Sequence, residues 1–174
     1  MDVIICDIDG TVLDVTDRIA AVLHEIGIDP SGKPSQVADM LQPPHRSLFY
    51  DLFLSEKYTH LDKPVPEVVS YLRDLQLSTG LPVVFLSARP DAMKRSTLAA
   101  IKALDVPYKE VVLRPWNQRF RKTTEFKVDA VQKRGYAPKH ILDDHADILS
   151  ALAAAFPEAT MHRVQGSQTT PWPD

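Results

Sequence analysis

Short runs of apolar residues recur along the chain, and the segments between them change to a helical rhythm. The runs are Val3-Ile4-Ile5-Cys6, Val83-Val84-Phe85-Leu86, Val111-Val112-Leu113, Ile141-Leu142 and residues 160–164. β-Branched and bounded by polar turns, they read as parallel strands covered on both faces. Residues 65–77 place apolar side chains at Val65, Val68, Val69, Leu72 and Leu75, and 92–104, 124–134 and 146–156 repeat that spacing, as amphipathic helices do. Strand alternating with helix predicts an α/β domain, a Rossmann-like, doubly wound, mainly parallel five-stranded sheet. The interval after the first strand is longer than one helix needs. Residues 14–62 hold a helical stretch at 17–26, a Pro/Ser-rich break at 30–44 and a second helical stretch near 46–54, so a small cap-like helical insertion is expected there. Residues 1–165 then make a single domain. Residues 166–174, without apolar periodicity, are expected to form an irregular tail.

In such a sheet a ligand sits outside the carboxyl ends of the strands, where the sequence puts Asp7, Ser87, Arg114 and Asp143. Asp7-Ile8-Asp9-Gly10-Thr11 carries two carboxylates that would diverge on an extended chain. A turn opened by Gly10 can aim both at one ion and its substrate. Alone, the pentapeptide also reads as an Asp-Gly turn beside a solvated Asp7. Ser87-Ala88-Arg89, Lys127 and Asp143-Asp144 change that reading. Mg²⁺ takes oxygen ligands and shares them with phosphate, Ser87 can donate to a phosphoryl oxygen, and Lys127 can neutralise nucleophile and phosphate together. That division of labour is phosphoryl transfer.

Charge and composition narrow the setting. With 20 Lys+Arg against 23 Asp+Glu, the formal charge is -3 over 174 residues, so anion binding has to be local. The single cysteine, Cys6, lies in an apolar run and fits a buried thiol in a reducing compartment. No charged-then-apolar leader opens the chain, and no stretch reaches the ~18 apolar residues that span a bilayer. A cytoplasmic protein with no membrane partner is expected. The histidines lack zinc spacing, and Gly32-Lys33 lacks the glycine of a P-loop, so no kinase half is expected in this chain. His145 reads as a helix cap or a substrate contact.

Taken in order, Asp7, Asp9 and Thr11 in Asp-x-Asp-x-Thr, then Ser87, Lys127 and Asp143-Asp144, make residues 2–164 resemble the haloacid dehalogenase-like (HAD) phosphatases. The resemblance implies that Asp7 attacks phosphorus to give an aspartyl-phosphate, while Asp9 protonates the leaving oxygen and later activates water. It also implies Mg²⁺ held by Asp7, the backbone carbonyl of Asp9 and a later aspartate. Asp144 is favoured as the direct ligand with Asp143 behind it, the reverse order remaining open.

A closer resemblance is to the 3′-phosphatase half of phage polynucleotide kinase-phosphatases. It rests on Arg18 after the first motif, on Arg89 as the arginine of Ser-Gly-Arg, and on Leu113-Arg114-Pro115 with Gln118-Arg119 before Lys127. By that resemblance Thr11, Arg18, Arg89, Arg114 and Arg119 bind substrate, and the partner is a phosphorylated nucleic-acid end or a nucleotide. Ala88 departs from the usual glycine. Thr123 stands where an aspartate is common, removing a carboxylate expected to orient Lys127. Other readings are a mononucleotide phosphatase and a noncatalytic Mg²⁺/nucleotide-binding module. Arg18 also reads as a solvated first-turn residue, Arg89 as a plain salt bridge, and Lys122 competes for the role of Lys127. Residues 114–122 form the one basic cluster interleaved with aromatics. They read as a stacking surface for a single-stranded end, or as a loop with Trp116 or Phe120 tucked into the core.

Overall fold

Residues 1–173 are described by the computed structural model. Its main sheet is built from β1 (Asp2–Cys6), β4 (Val83–Pro90), β5 (Tyr108–Arg114), β6 (Ala137–Asp143), β7 (Thr160–Gln165) and β8 (Gln168–Trp172). The spatial order is β5-β4-β1-β6-β7-β8. All pairings are parallel except β7 with β8. The two-residue period of the strands sorts the core into two layers. Ile4, Cys6, Val83 and Phe85 meet Val68 and Leu72 of α4 (Pro66–Thr79) and Ile101 of α5 (Lys94–Ala103). Val3, Ile5, Val84 and Leu86 meet Phe126, Ala130 and Val131 of α6 (Thr123–Lys133) and Leu149 and Leu152 of α7 (Ala146–Ala155). The sheet is therefore covered on both faces, as the continuous apolar runs predict. β1 lies centrally between β4 and β6, where the direction of winding reverses, and its carboxyl end opens on the crevice such sheets use for ligands.

The sheet has six strands where five were expected, because Gln168–Trp172, within the expected irregular tail, forms a strand. Gly166, at φ 63°, turns the chain back, and Gln168–Trp172 pairs antiparallel with β7, Met161 opposite Trp172. Trp172 packs against the core layer that contains Met161, so one aromatic anchor organises a segment otherwise made of Gly, Ser, Gln, Thr and Pro. Asp174 lies outside the described residues.

The insertion is closed at its base by a second small sheet, β2 (Leu13–Asp14) with β3 (Lys63–Pro64). It contains α1 (Thr16–Glu25), α2 (Pro34–Asp39) and α3 (His45–Phe53), around a core of its own formed by Val15, Ile19, Val22, Leu23, Leu41 and Phe49. α2 falls inside the expected break. Pro34 sits in its first turn, where the missing N–H leaves no helical bond unmade. Glu56 ties the insertion to the body by accepting the Ser96 backbone N–H of α5 at 2.9 Å. No helix among the described residues is long and apolar enough to cross a membrane.

At the far side of the sheet, His162 of β7 is buried, with Nδ1 2.9 Å from Tyr71 Oη and Nε2 3.0 Å from His140 Nδ1. Burial, with His140 adding to it, holds His162 down to about 4. Between that value and the ordinary ~6.5 the unfolded chain binds the extra proton. Stability is thus fully present above the unfolded value and is lost as pH falls toward the folded one. Lowering pH from 7 to 5 is expected to cost about 2 kcal/mol through this group. Urea unfolding of wild type and His162→Gln at both pH values checks it, an identical pH dependence in the two proteins counting against it.

Candidate active site

Asp7 leaves the end of β1 with its N–H donating to Leu142 O of β6 at 2.9 Å. The chain then folds back on itself, Gly10 N–H donating to Leu13 O at 2.8 Å and Leu13 N–H to Ile8 O at 3.0 Å. Gly10 has φ 77°, and a Cβ there would come 2.4 Å from Asp144 Oδ2. Glycine is required both by the backbone and by the approach of that carboxylate. α6 starts so that Lys127 points back under the sheet end, 2% exposed. Its Nζ donates to Asp7 Oδ1 at 2.7 Å and to Asp143 Oδ2 at 2.6 Å. Burial disfavours the ammonium, but Asp143 and Asp7 outweigh it and hold the lysine charged. Lys122 is exposed at the start of the helix.

Asp7, Asp143 and Asp144 each present an oxygen within 4.8 Å of the others. Both oxygens of Asp143 are engaged, Oδ2 with Lys127 and Oδ1 with the His145 backbone N–H at 3.0 Å. Asp144 Oδ1 is buried without a partner. Burial pushes Asp7 well above the usual carboxylate range, Lys127 opposes that push, and Asp143 and Asp144 reinforce it. Burial raises Asp144 as well. Three crowded carboxylates facing one ammonium, with Asp144 Oδ1 unpartnered while its Oδ2 closes on Gly10, are an oxygen-donor set that fits Mg²⁺. Within the adjacent pair, the oxygen still free to bind belongs to Asp144.

Asp9 occupies the other side of the crevice in a buried ionic cluster. Arg18 donates to its Oδ1 at 2.8 Å. Arg89 donates through Nε to both oxygens at 3.1 Å and through Nη2 to Oδ1 at 2.5 Å. Arg89 also bonds Asp62 Oδ2 at 2.6 Å and Thr97 Oγ1 at 3.2 Å. Arg18 Nε lies 3.1 Å from Asp62 Oδ1, in charge contact but out of hydrogen-bond line. Burial alone would raise Asp9, yet Arg89 and then Arg18 bring it below the ordinary carboxylate value. Asp62 is the reverse case, raised because burial outweighs both arginines. Of the four side chains only Asp9 retains appreciable exposure, 22% against 1% or less for the rest, so its carboxylate is the member facing the crevice. Arg18 is therefore not a solvated first-turn residue. Phe53 of the insertion stacks on its guanidinium, 4.1 Å from the ring centre. Asp62 and Thr97 escape sequence reasoning, since a lone acid ahead of Lys63-Pro64 and a threonine within a helix carry no local signal.

Ser87 is buried beside β1, its Oγ accepting the Arg89 N–H at 3.1 Å. Ala88 does not have a positive φ, so alanine fits the Ser-Ala-Arg turn without strain. Thr11 is fully buried with an unpartnered hydroxyl. His145 occupies the cap position of α7 without a side-chain cap bond, and its ring lies 3.6 Å from Asp144 Oδ2.

Arg114 and Arg119 are not gathered around Asp7. Arg114 is buried under its own loop, donating to the carbonyls of Arg119 and Arg121, each at 3.2 Å, and to Thr123 Oγ1 at 2.7 Å. Thr123 therefore serves Arg114, and Lys127 is oriented without it by Asp7 and Asp143. Arg114 Nε has no partner, and burial lowers the guanidinium pKa. A carboxylate at the first residue of α6 would satisfy that donor and complement the helix dipole. Thr123→Asp is expected to raise stability by about 1 kcal/mol. A lower urea midpoint in the variant would contradict this account of Arg114.

A central parallel strand leading into Asp7, followed by a helical insertion, then by a strand that carries Ser87 in its last half and one that ends in Asp143, is the haloacid dehalogenase-like fold. Solved structures share it with this chain at low sequence identity. A HAD family hydrolase from Deinococcus radiodurans R1, solved with bound phosphate and sodium, is 19% identical with a TM-score of 0.57, over 92% of this chain and 79% of that one. A haloacid dehalogenase-like family hydrolase from Streptococcus pneumoniae is 15% identical with a TM-score of 0.60, over 91% and 82%. A chain of the Pnkp1/Rnl/Hen1 complex is 17% identical with a TM-score of 0.61, over 94% of this chain and 45% of that one. The chain thus spans less than half the length of that neighbour. No protein-family model and no curated protein matches the sequence.

Proposed function

We propose that the protein is a Mg²⁺-dependent phosphomonoester hydrolase that works through an aspartyl-phosphate on Asp7 and removes a 3′-phosphate from a polynucleotide end. The observation that carries this reading is Lys127 bridging Asp7 and Asp143 beside the unpartnered Asp144 oxygen. It supplies a shielded nucleophile next to an oxygen-donor set. Asp7, the Asp9 backbone carbonyl and Asp144 would hold Mg²⁺, which offsets phosphate charge when bound. An Asp7 oxygen forms a bond to phosphorus as the bond to the leaving oxygen breaks, and Asp9 delivers the proton that oxygen needs. Water then attacks phosphorus, giving its proton to Asp9, and inorganic phosphate leaves with Asp7 regenerated. Lys127 and Ser87 balance and hold the phosphoryl oxygens. Arg18 and Arg89 fix the direction of Asp9 and offer their charge to the incoming phosphate. As the phosphate shares those cations, Asp9 more readily takes up the proton it must donate.

The polynucleotide end is favoured by the arginine pair, by the basic aromatic loop after β5, and by the fold shared with a chain from an RNA repair complex. A mononucleotide is the second reading, favoured by the stacking of Phe53 over Arg18, which brings the insertion down on the crevice. Phosphate release from a 3′-phosphorylated oligonucleotide and from free mononucleotides, with Mg²⁺ and with chelator, separates the two. Release from mononucleotides alone would refute the first.

A further inference from the structure

The loop after β5 has a feature that the hydrolytic chemistry leaves unused. Trp116 is 52% and Phe120 87% exposed, so neither is tucked into the core. The Arg119 guanidinium lies between them, 4.5 Å from the Trp116 ring centre and 4.3 Å from that of Phe120, and it donates to Trp116 O at 3.2 Å. Among the described residues Arg119 has no acidic partner, whereas Arg121 is paired with Asp129 at 2.6 Å. Arg114 directs two of its bonds into the loop's own carbonyls. The loop backbone is thus tied down while the two rings stay exposed. Large side chains kept exposed around an unpaired cation mark a binding surface more often than a fold requirement.

We propose that Trp116, Arg119 and Phe120 form a stacking platform for an unpaired nucleobase of the polynucleotide whose 3′-phosphate reacts at Asp7, an inference that rests on the function proposed above. Position, charge and geometry favour this occupant. The loop leaves β5 at Arg114, which is in register with Pro90, the residue after Arg89. β5 stands two strands from β1, about 10 Å away at ordinary strand spacing, within reach of a nucleotide next to the reacting one. The guanidinium, without an acidic partner among the described residues, supplies the cation that a phosphate backbone follows, on a chain of formal charge -3. Stacking on an aromatic face needs no particular base, so the platform reads single-strandedness rather than sequence.

Kinetics and fluorescence test it separately. Trp116→Ala and Phe120→Ala are each expected to raise KM for a 3′-phosphorylated oligothymidylate about tenfold, with kcat little changed and para-nitrophenyl phosphate hydrolysed as by wild type. Trp116→Phe restores most of the loss. In a Trp172→Phe background Trp116 is the sole indole, as the chain has two tryptophans. Its emission is expected to be quenched by that oligothymidylate, and less by one with abasic sites near its 3′ end. An unchanged oligonucleotide KM in both alanine variants overturns the platform, as does an equal rise on para-nitrophenyl phosphate. A dimer that Phe120→Ala disperses in sedimentation also overturns it, assigning the patch to a second copy. If no phosphate ester is hydrolysed, the phosphatase reading fails, while quenching by the oligothymidylate still decides for or against the platform.

Discussion

Asp7→Asn is expected to lower phosphate release by about 10⁴-fold or more, the scale on which removal of a covalent nucleophile is felt. Asparagine keeps the shape of the side chain and its Oδ1, which still accepts from Lys127 Nζ across the 2.7 Å seen here. What it loses is the charged oxygen that bonds to phosphorus. Since burial, Asp143 and Asp144 already disfavour an anion at this position, the amide removes a repulsion and the fold should hold. Loss of turnover with an unaltered urea midpoint is therefore the expected pair of results. Acid-quenched wild type should carry a hydroxylamine-sensitive phosphoryl group that the variant lacks. Turnover near the wild-type rate would refute the covalent mechanism.

Lys127→Met is expected to destabilise the protein by about 3–5 kcal/mol at pH 7, because it strips the counter-charge from two buried carboxylates. The side chain is 2% exposed, and its Nζ lies 2.6 Å from Asp143 and 2.7 Å from Asp7, so water does not replace the lost partner. Asp7, already raised by burial, then loses the charge that opposes the rise. Its folded value moves further above that of the unfolded chain, and the folded protein binds more protons. Stability of the variant should therefore be largest in acid and fall as pH rises through that folded value. Urea unfolding at pH 5 and pH 7, with and without Mg²⁺, measures this, the cation being expected to recover part of the loss at pH 7. Equal stability of variant and wild type at pH 7 would show that the pair of ion bridges is not what holds the site.

Much of the molecule was legible because its signals are local. Strands buried on both faces need unbroken apolar runs, and those of β1, β4 and β6 place Asp7, Ser87 and Asp143 at the ends of those runs whatever the rest of the chain does, although β4 itself continues to Pro90. Gly10 announces a turn, and the structure adds why no other residue fits, since Asp144 approaches where a side chain would stand. The readings that shifted depended on partners distant in sequence. Gln168–Trp172 becomes an edge strand because Trp172 finds the core beside Met161. Thr123, expected to leave Lys127 without an orienting carboxylate, is a partner of Arg114, and Asp7 and Asp143 orient Lys127 instead.

By itself, the sequence determined the doubly wound architecture and singled out Asp7, Asp9, Ser87, Lys127 and Asp143-Asp144 as candidates, because hydrophobic period and position after an apolar run depend on near neighbours. Only the tertiary structure decided which oxygen of the aspartate pair is free, that Asp62 completes the arginine cluster around Asp9, that Arg114 turns inward, and that Trp116 and Phe120 stand exposed. Those outcomes depend on side-chain direction and on contacts between residues far apart in the chain, such as Lys127 with Asp7, which are set only when the separate elements pack together.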